Sequence, residues 1–184
     1  MLCIIPARGG SKRLPGKNLL DFDGETLLAR TIAQARSVFA TVLVSSEDEA
    51  ILNEAHRCGA IAFYRPRFLA TDEPKTGAVV AHVLHRIRGH DWFCLLQVTS
   101  PLRLGFDIEN CRSLALVYNK PVISTYQHRP NGAVYIRATQ GFAGDLLQDA
   151  LHYEMPKERS IDIDTWADYE AALHENYDHH RIQG

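Results

Sequence analysis

Apolar runs alternate with segments of helical periodicity along most of the chain. Short runs rich in Val, Ile, Leu and Phe favour β-strands, whereas apolar residues that recur every three or four positions favour α-helices. Strands that alternate with helices are typical of an α/β fold, with a largely parallel sheet flanked by helices on both faces. The patterns predict strands at 2–6, 41–45, 60–64, 92–96, 122–125 and 132–137, and helices at 26–37, 47–57, 74–88, 105–118 and 166–176.

Three helix starts carry capping signals. Thr26 is predicted to open the first helix, and Ser46 with Glu49 has the spacing of a capping box for the second. Thr165 and Asp168 repeat that spacing before the last helix. These signals predict where the chain leaves a strand or loop and becomes helical.

Length and composition favour a single domain over residues 1–184, with a polar tail at about 178–184. The chain has 184 residues, 46% of them hydrophobic, and a net charge of -2, which argues against a general binder of nucleic acid or membrane surfaces. We find no apolar run of about eighteen residues and no signal-peptide pattern, so a cytoplasmic protein is expected. The four cysteines form no C-x-x-C pair, which predicts reduced packing residues and no zinc site.

A glycine-rich loop, residues 7–18, follows the first predicted strand and contains cations but no acid. Its charges are Arg8, Lys12, Arg13 and Lys17, on backbone loosened by three glycines. It is neither a P-loop nor a dinucleotide loop, because its glycines do not have the spacing of either motif. A loop that carries only positive charges and directly follows a buried strand favours a binding site for a nucleoside triphosphate over an ordinary basic surface turn.

A second candidate is the acid segment, residues 160–165. Polar and apolar residues alternate here, so an extended backbone would point Asp162 and Asp164 the same way. Mg²⁺ favours one or two carboxylates together with phosphate oxygens and water, which a nucleotide in the glycine loop would complete. The alternative is a solvated strand residue at Asp162 and a turn residue at Asp164.

A third candidate lies where the strand at 92–96 ends. Small polar residues lead from Gln97 to the cation Arg103, and together they are a candidate substrate rim. By itself the pattern also fits an ordinary strand exit that closes a turn ahead of Pro101.

Taken together, these motifs resemble the CMP-acylneuraminate synthetase family, including its relatives that act on pseudaminic and legionaminic acids. The resemblance implies a Rossmann-like nucleotide-diphospho-sugar transferase fold and Mg²⁺-dependent transfer of CMP from CTP to an acidic keto-sugar, with release of pyrophosphate. The matching segments are Ile4 to Asn18, Tyr64-Arg65-Pro66, Leu69-Ala70-Thr71-Asp72, Gln97 to Arg103, Arg129-Pro130-Asn131-Gly132-Ala133 and Ser160 to Thr165.

The resemblance also implies roles for individual residues. Asp162 and Asp164 would hold the Mg²⁺, and Arg8 and Lys17 would act with them in catalysis. The triphosphate would contact Arg8, Lys12 and Lys17, the cytidine would lie near Ala7, Asn18, Arg65 and Thr76, and the acceptor sugar would meet Gln97, with Arg103, Asn131 and Arg159 as weaker candidates.

The sequence departs from the family pattern at one place that matters for the acceptor. Family members usually insert several tens of residues before the stretch that begins at Arg129, forming a lobe that is exchanged across a dimer, whereas here only residues 126–128 separate it from the preceding strand. The usual dimer and the usual acceptor are therefore in question, although a homo-oligomer remains an option. The alternatives are a cytidylyltransferase for another small acid, such as Kdo or a phosphonate, and a non-catalytic nucleotide-binding module.

Overall fold

The computed structural model describes residues 1–71 and 75–182, and for residues 179–182 it describes the backbone only. Within these ranges the strands are β1 Leu2–Pro6, β2 Asp21–Phe22, β3 Glu25–Thr26, β4 Val42–Ser46, β5 Ile61–Tyr64, β6 Trp92–Leu96, β7 Val122–Tyr126, β8 Arg129–Ala138 and β9 Leu151–Glu154. The helices are α1 Leu27–Arg36, α2 Glu49–Arg57, α3 Thr76–Arg86, α4 Gly105–Tyr118 and α5 Trp166–Ile182.

Seven of these strands form one sheet in the order β5-β4-β1-β6-β8-β7-β9. Strands β1, β4, β5 and β6 pair in parallel, and β7 pairs in parallel with β9. Strand β8 is antiparallel to both of its neighbours, β6 and β7. The predicted α/β fold with a largely parallel sheet is therefore confirmed.

Alternation along β1 divides its side chains between two apolar layers. Cys3 and Ile5 pack into the larger layer, together with residues of α1, α2, α4 and α5. Leu2 and Ile4 face the other layer, which includes Val80 of α3. Because both faces of β1 are buried, its sequence is continuously apolar. Its neighbours in the sheet are β4 and β6, so its carboxyl end lies between the ends of these two parallel strands.

Two of the three predicted helix starts are confirmed. The Thr26 hydroxyl accepts a hydrogen bond from the Ala29 N–H at 3.0 Å, and Thr165 and Asp168 exchange hydrogen bonds between side chain and backbone. The capping box at Ser46 is wrong, because Ser46 is still in β4 and Asp48 caps α2, accepting from the Ile51 N–H at 3.2 Å.

Some local elements differ from the prediction. The pattern missed the short ribbon of β2 and β3 and the edge strand β9, which have too few residues to show a period. The last helix continues to Ile182, beyond its predicted end at 176 and into the predicted polar tail. Asp72 and the predicted helix start at residue 74 lie outside the described residues.

Candidate active site

A cleft of about 610 Å³ opens at the carboxyl ends of β1 and β6, where α/β sheets commonly bind their ligands. The first residues of α3 close its far side. Its lining includes most of the side chains predicted to bind substrate or metal, namely Arg8, Lys12, Lys17, Asn18, Arg65, Thr76, Gln97 and Asp164.

The glycine loop is fixed at both ends by hydrogen bonds and by burial. Ala7 is buried, and its N–H donates to the Ser45 carbonyl of β4 at 3.0 Å. The buried Asn18 amide donates to the Arg8 carbonyl at 2.8 Å, which joins the two ends of the loop. Ala7 and Asn18 therefore shape the loop from within, and the cations between them are presented to the cleft.

The acid segment meets the glycine loop across the cleft. The Lys17 ammonium donates to the Ile163 carbonyl at 2.9 Å and to Asp164 Oδ1 at 3.2 Å, although 147 residues separate Lys17 from Asp164. The Arg13 guanidinium lies 2.9 Å from the other carboxylate oxygen, Oδ2. Asp164 thus has a loop cation on each oxygen, while its side chain remains 38% exposed.

The surroundings of Asp162 disfavour the negative charge of its carboxylate. Its side chain is exposed and, unlike Asp164, is not among the residues that line the cleft, yet desolvation by the surrounding protein raises its pKa. A hydrogen bond from Thr99 opposes that rise, and the negative charge of Asp164 adds to it. The backbone beside it is held to β6, because the Ile163 N–H donates to the Thr99 carbonyl at 2.8 Å.

This donor set fits a hard divalent cation. Asp162 and Asp164 offer carboxylate oxygens that repel each other, and a bound Mg²⁺ would relieve that repulsion. Within the described parts of the chain there is no group of three or more His, Cys, Asp or Glu side chains arranged to hold a metal. That phosphate oxygens and water complete the ligand set stays a prediction from the sequence.

A buried ion pair supports the wall of the cleft next to the glycine loop. Glu47 follows β4 and accepts from Arg65 Nε and Nη2 at 3.1 and 2.9 Å. Its other oxygen accepts from the Gly9 N–H at 2.8 Å. Sequence patterns did not single out Glu47, because its partners lie on two other segments and leave no local spacing signal.

The predicted acceptor end is formed by Gln97 and Gly132. The Gln97 amide oxygen accepts a long hydrogen bond from the Thr99 hydroxyl, at 3.5 Å. Gly132 has a φ of 80°, and a Cβ at that position would lie 3.1 Å from the Gln97 oxygen. Both features favour glycine at 132, and Gln97 is among the residues that line the cleft.

Asn131 does not line the cleft. Its amide oxygen accepts from the Ser124 hydroxyl at 2.6 Å and from the Ala133 N–H at 3.2 Å, and its NH₂ donates to Ser160 at 3.1 Å. These contacts tie β8 to the start of the acid segment. Its predicted contact with substrate stays a prediction.

The expectation that Arg103 lies on a rim is wrong. Its side chain is fully buried and donates to the carbonyls of Gln97 and Ala133 at 2.7 and 3.0 Å. Burial lowers its pKa to about 10, and the nearby thiols of Cys3 and Cys94 partly oppose that change. Arg103 therefore fixes the backbone beside Gln97 and does not reach the substrate side.

A second buried acid, Asp107 of α4, was also missed. It accepts from Arg159 Nε and Nη2 at 2.9 and 3.1 Å, from the Tyr153 hydroxyl at 3.2 Å and from the Leu104 N–H at 2.9 Å. The Arg159 guanidinium also lies over the Phe106 ring, 4.6 Å from its centroid. These contacts anchor the chain just before the acid segment.

Comparison with known proteins identifies the family. The family model described as cytidylyltransferase matches residues 2–111. The chain is 42% identical over 108 residues to a pseudaminic acid cytidylyltransferase of Campylobacter jejuni, covering 55% of this chain and 47% of that protein. It is 32% identical over 214 residues to an N-acylneuraminate cytidylyltransferase of Escherichia coli, covering 94% of this chain and 51% of that protein.

The chain spans about half the length of these curated relatives. The Escherichia coli alignment is longer than the 184 residues of this chain, so the relative contributes residues that this chain lacks. A solved structure of CMP:2-keto-3-deoxy-manno-octonic acid synthetase complexed with CTP superposes with a TM-score of 0.72 at 18% identity, over 97% of this chain and 98% of that one. This likeness shows a shared fold. Among the described helices, none combines the length and apolarity that a membrane crossing requires.

The Asp107 anchor leads to a stability prediction. Asp107→Ala should lower the free energy of unfolding by about 3 kcal/mol, because it leaves several buried donors and the Arg159 charge without their acceptor. Urea denaturation would measure the change. The matched control is Glu109→Ala on the same helix, which removes an exposed pair with Arg112 and should cost about 1 kcal/mol or less. Equal losses in the two variants would contradict the anchoring role.

Proposed function

This chain belongs to the cytidylyltransferase family, and we propose that it transfers CMP from CTP to an acidic keto-sugar of the sialic, pseudaminic or legionaminic acid type, releasing pyrophosphate. One observation carries the proposal: the glycine loop meets the acid segment at the cleft, where the Lys17 ammonium contacts the Ile163 carbonyl and the Asp164 carboxylate. A nucleoside triphosphate with its metal requires positive and negative groups side by side. The names of the relatives support the class of acid.

In this proposal Arg8, Lys12 and Lys17 bind the triphosphate. They belong to the loop that lines the cleft, and Lys17 is held in place by the Ile163 carbonyl. Arg65, in the wall next to the loop, and Thr76 would face the cytidine, while Ala7 and Asn18 keep the loop in shape. Fixed cations around a polyphosphate favour the transition state because they need little reorganisation as charge develops.

Asp162 and Asp164 would hold Mg²⁺, whose role when bound is to neutralise charge on the phosphate oxygens. In the structure the loop cations Arg13 and Lys17 occupy the oxygens of Asp164. Nucleotide binding would draw these cations toward the phosphates and leave the carboxylate to the metal. The positive charges of Arg13 and Lys17 would thus be balanced by Asp164 without the nucleotide and by its phosphates once it is bound.

The transfer itself is an in-line substitution at the α-phosphorus. The acceptor hydroxyl oxygen forms a bond to that phosphorus, the bond to the bridging oxygen of the pyrophosphate breaks, and the hydroxyl proton leaves to one of the two aspartates or to water. Arg8 and Lys17 stabilise the charge on the leaving group. No covalent intermediate with the protein is required.

The acceptor end depends on few residues of this chain. Gln97 would contact the sugar, and the neighbouring hairpin between β7 and β8 turns tightly at Gln127 and His128, with φ values of 50° and 62°. No inserted lobe extends the wall at this hairpin. Acids other than nonulosonates, such as Kdo or a small phosphonate, are therefore included in the test.

The decisive experiment measures pyrophosphate release with CTP and Mg²⁺ against a panel of acids: N-acetylneuraminate, pseudaminate, legionaminate, Kdo and small phosphonates. Release with a nonulosonate supports the proposal, and release with Kdo or a phosphonate only would reassign the acceptor. Binding of CTP in calorimetry without release from any acid would favour the non-catalytic module.

Lys17 gives the first prediction from this proposal. Lys17→Ala should lower kcat/KM for CTP by about 10²-fold, since it removes a charge that stabilises the transition state. Steady-state kinetics would measure it, with Lys120→Ala, an exposed lysine after α4, as the matched control. A rate within about twofold of the unmodified protein would mean that the loop is merely basic.

The second prediction from this proposal concerns Asp164. Asp164→Asn should abolish Mg²⁺-dependent turnover, and it should tighten CTP binding measured without metal, because Arg13 and Lys17 are released from their carboxylate partner. Kinetics and calorimetry in EDTA would measure the two effects. Glu170→Gln, an exposed acid on α5, is the control and should change neither. Normal turnover in Asp164→Asn would remove the metal assignment.

A further inference from the structure

We infer that Glu47 is a positioning residue that joins the two halves of the nucleotide site, by holding the glycine loop with one carboxylate oxygen and Arg65 with the other. This inference rests on the proposed function, because it assigns the triphosphate to the glycine loop and the cytidine to the wall that contains Arg65. Glu47 lies just after β4, between these two elements, and its side chain is only 12% exposed.

The division of its hydrogen bonds supports this role. Among the described residues, Oε1 accepts from the loop, at the Gly9 N–H, 2.8 Å away. Oε2 accepts from Arg65, through Nε at 3.1 Å and Nη2 at 2.9 Å. One rigid carboxylate group therefore sets the distance between the phosphate side and the nucleoside side of the cleft.

The loop is docked closely at this point. A Cβ at residue 9 would lie 2.4 Å from Asp48 Oδ2 and 3.0 Å from Asp48 Cβ, so a side chain at Gly9 would force the loop away from the turn. Asp48 is itself fixed as the N-cap of α2. The Gly9 backbone therefore packs against a turn that is held by a helix cap, and its N–H donates to Glu47.

Charge explains why Glu47 matters to the ligand as well as to the fold. Arg65 is 2% exposed yet lines the cleft, and desolvation lowers its pKa while the charge of Glu47 opposes that change. Neutralised by Glu47, the guanidinium is a fixed hydrogen-bonding group beside the nucleoside and competes little for the triphosphate. Arg8 lies near enough for its charge to lower the pKa of Arg65 further, so an unpaired Arg65 would disturb the phosphate half.

The test separates the two halves with three probes in calorimetry: CTP, CMP and inorganic tripolyphosphate. Glu47→Gln keeps an oxygen for the Gly9 N–H but removes the charge opposite Arg65. We expect CTP and CMP to bind about 10-fold more weakly while tripolyphosphate binds as well as before or better. The matched control is Glu49→Gln, the same change at an exposed residue in the first turn of α2, which should alter none of the three affinities.

The double variant Glu47→Gln/Arg65→Gln removes both buried charges and covers the case in which Glu47→Gln does not fold. If Glu47 acts on the nucleoside through Arg65, the double variant should lose the same CTP affinity as Arg65→Gln alone, and additive losses would overturn the inference. An unchanged ratio of CTP to tripolyphosphate affinity in folded Glu47→Gln would also overturn it. An unmodified protein that binds no CTP would instead contradict the proposed function.

Discussion

The contact between Lys17 and the acid segment is the interaction on which the candidate site depends. One ammonium group binds both the Ile163 carbonyl and the Asp164 carboxylate, and so joins the beginning of the chain to its last quarter. The sheet makes this contact feasible, because the central position of β1 puts the glycine loop next to the end of β6. The Ile163 N–H bonds to Thr99 there, so the acid segment lies against that same edge.

The charges around the cleft have different tasks according to their burial. Asp164 and Arg13 form an accessible pair, which contributes little stability and can be exchanged for a ligand. Glu47 with Arg65 and Asp107 with Arg159 are shielded from water, so losing one partner leaves a charge uncompensated and the other side chain loosened. The accessible pair therefore lines the cleft, and the shielded pairs hold the backbone around it.

Hydrophobic periodicity predicted most of the fold because strands buried on both faces and amphipathic helices leave strong local signals, as in β1 and α2. The glycine loop and Asp164, which the structure brings together, could be singled out because each lies in a contiguous pattern, whereas the metal site of Asp162 and Asp164 stays a prediction. Arg103 was misplaced because a cation after a strand gives no indication of whether it turns inward. The structural roles of Glu47 and Asp107 could not be predicted, because the arginines that they bind are distant along the chain.

A local backbone constraint closes the β7–β8 hairpin, which leads to Gly132 beside Gln97. Gln127 and His128 both adopt left-handed backbone conformations, which suits a two-residue turn, and Glu154 accepts from the His128 N–H at 3.3 Å and from the Thr125 hydroxyl at 2.7 Å. The turn is thus closed against β9. In the proposed function, selection among acids would depend on Gln97, and the missing side chain of Gly132 leaves room for its amide. A Cβ at 132 would lie 3.1 Å from the Gln97 amide oxygen, and Gly132 is not among the residues that line the cleft, so in that proposal recognition of the acid would be separable from binding of CTP.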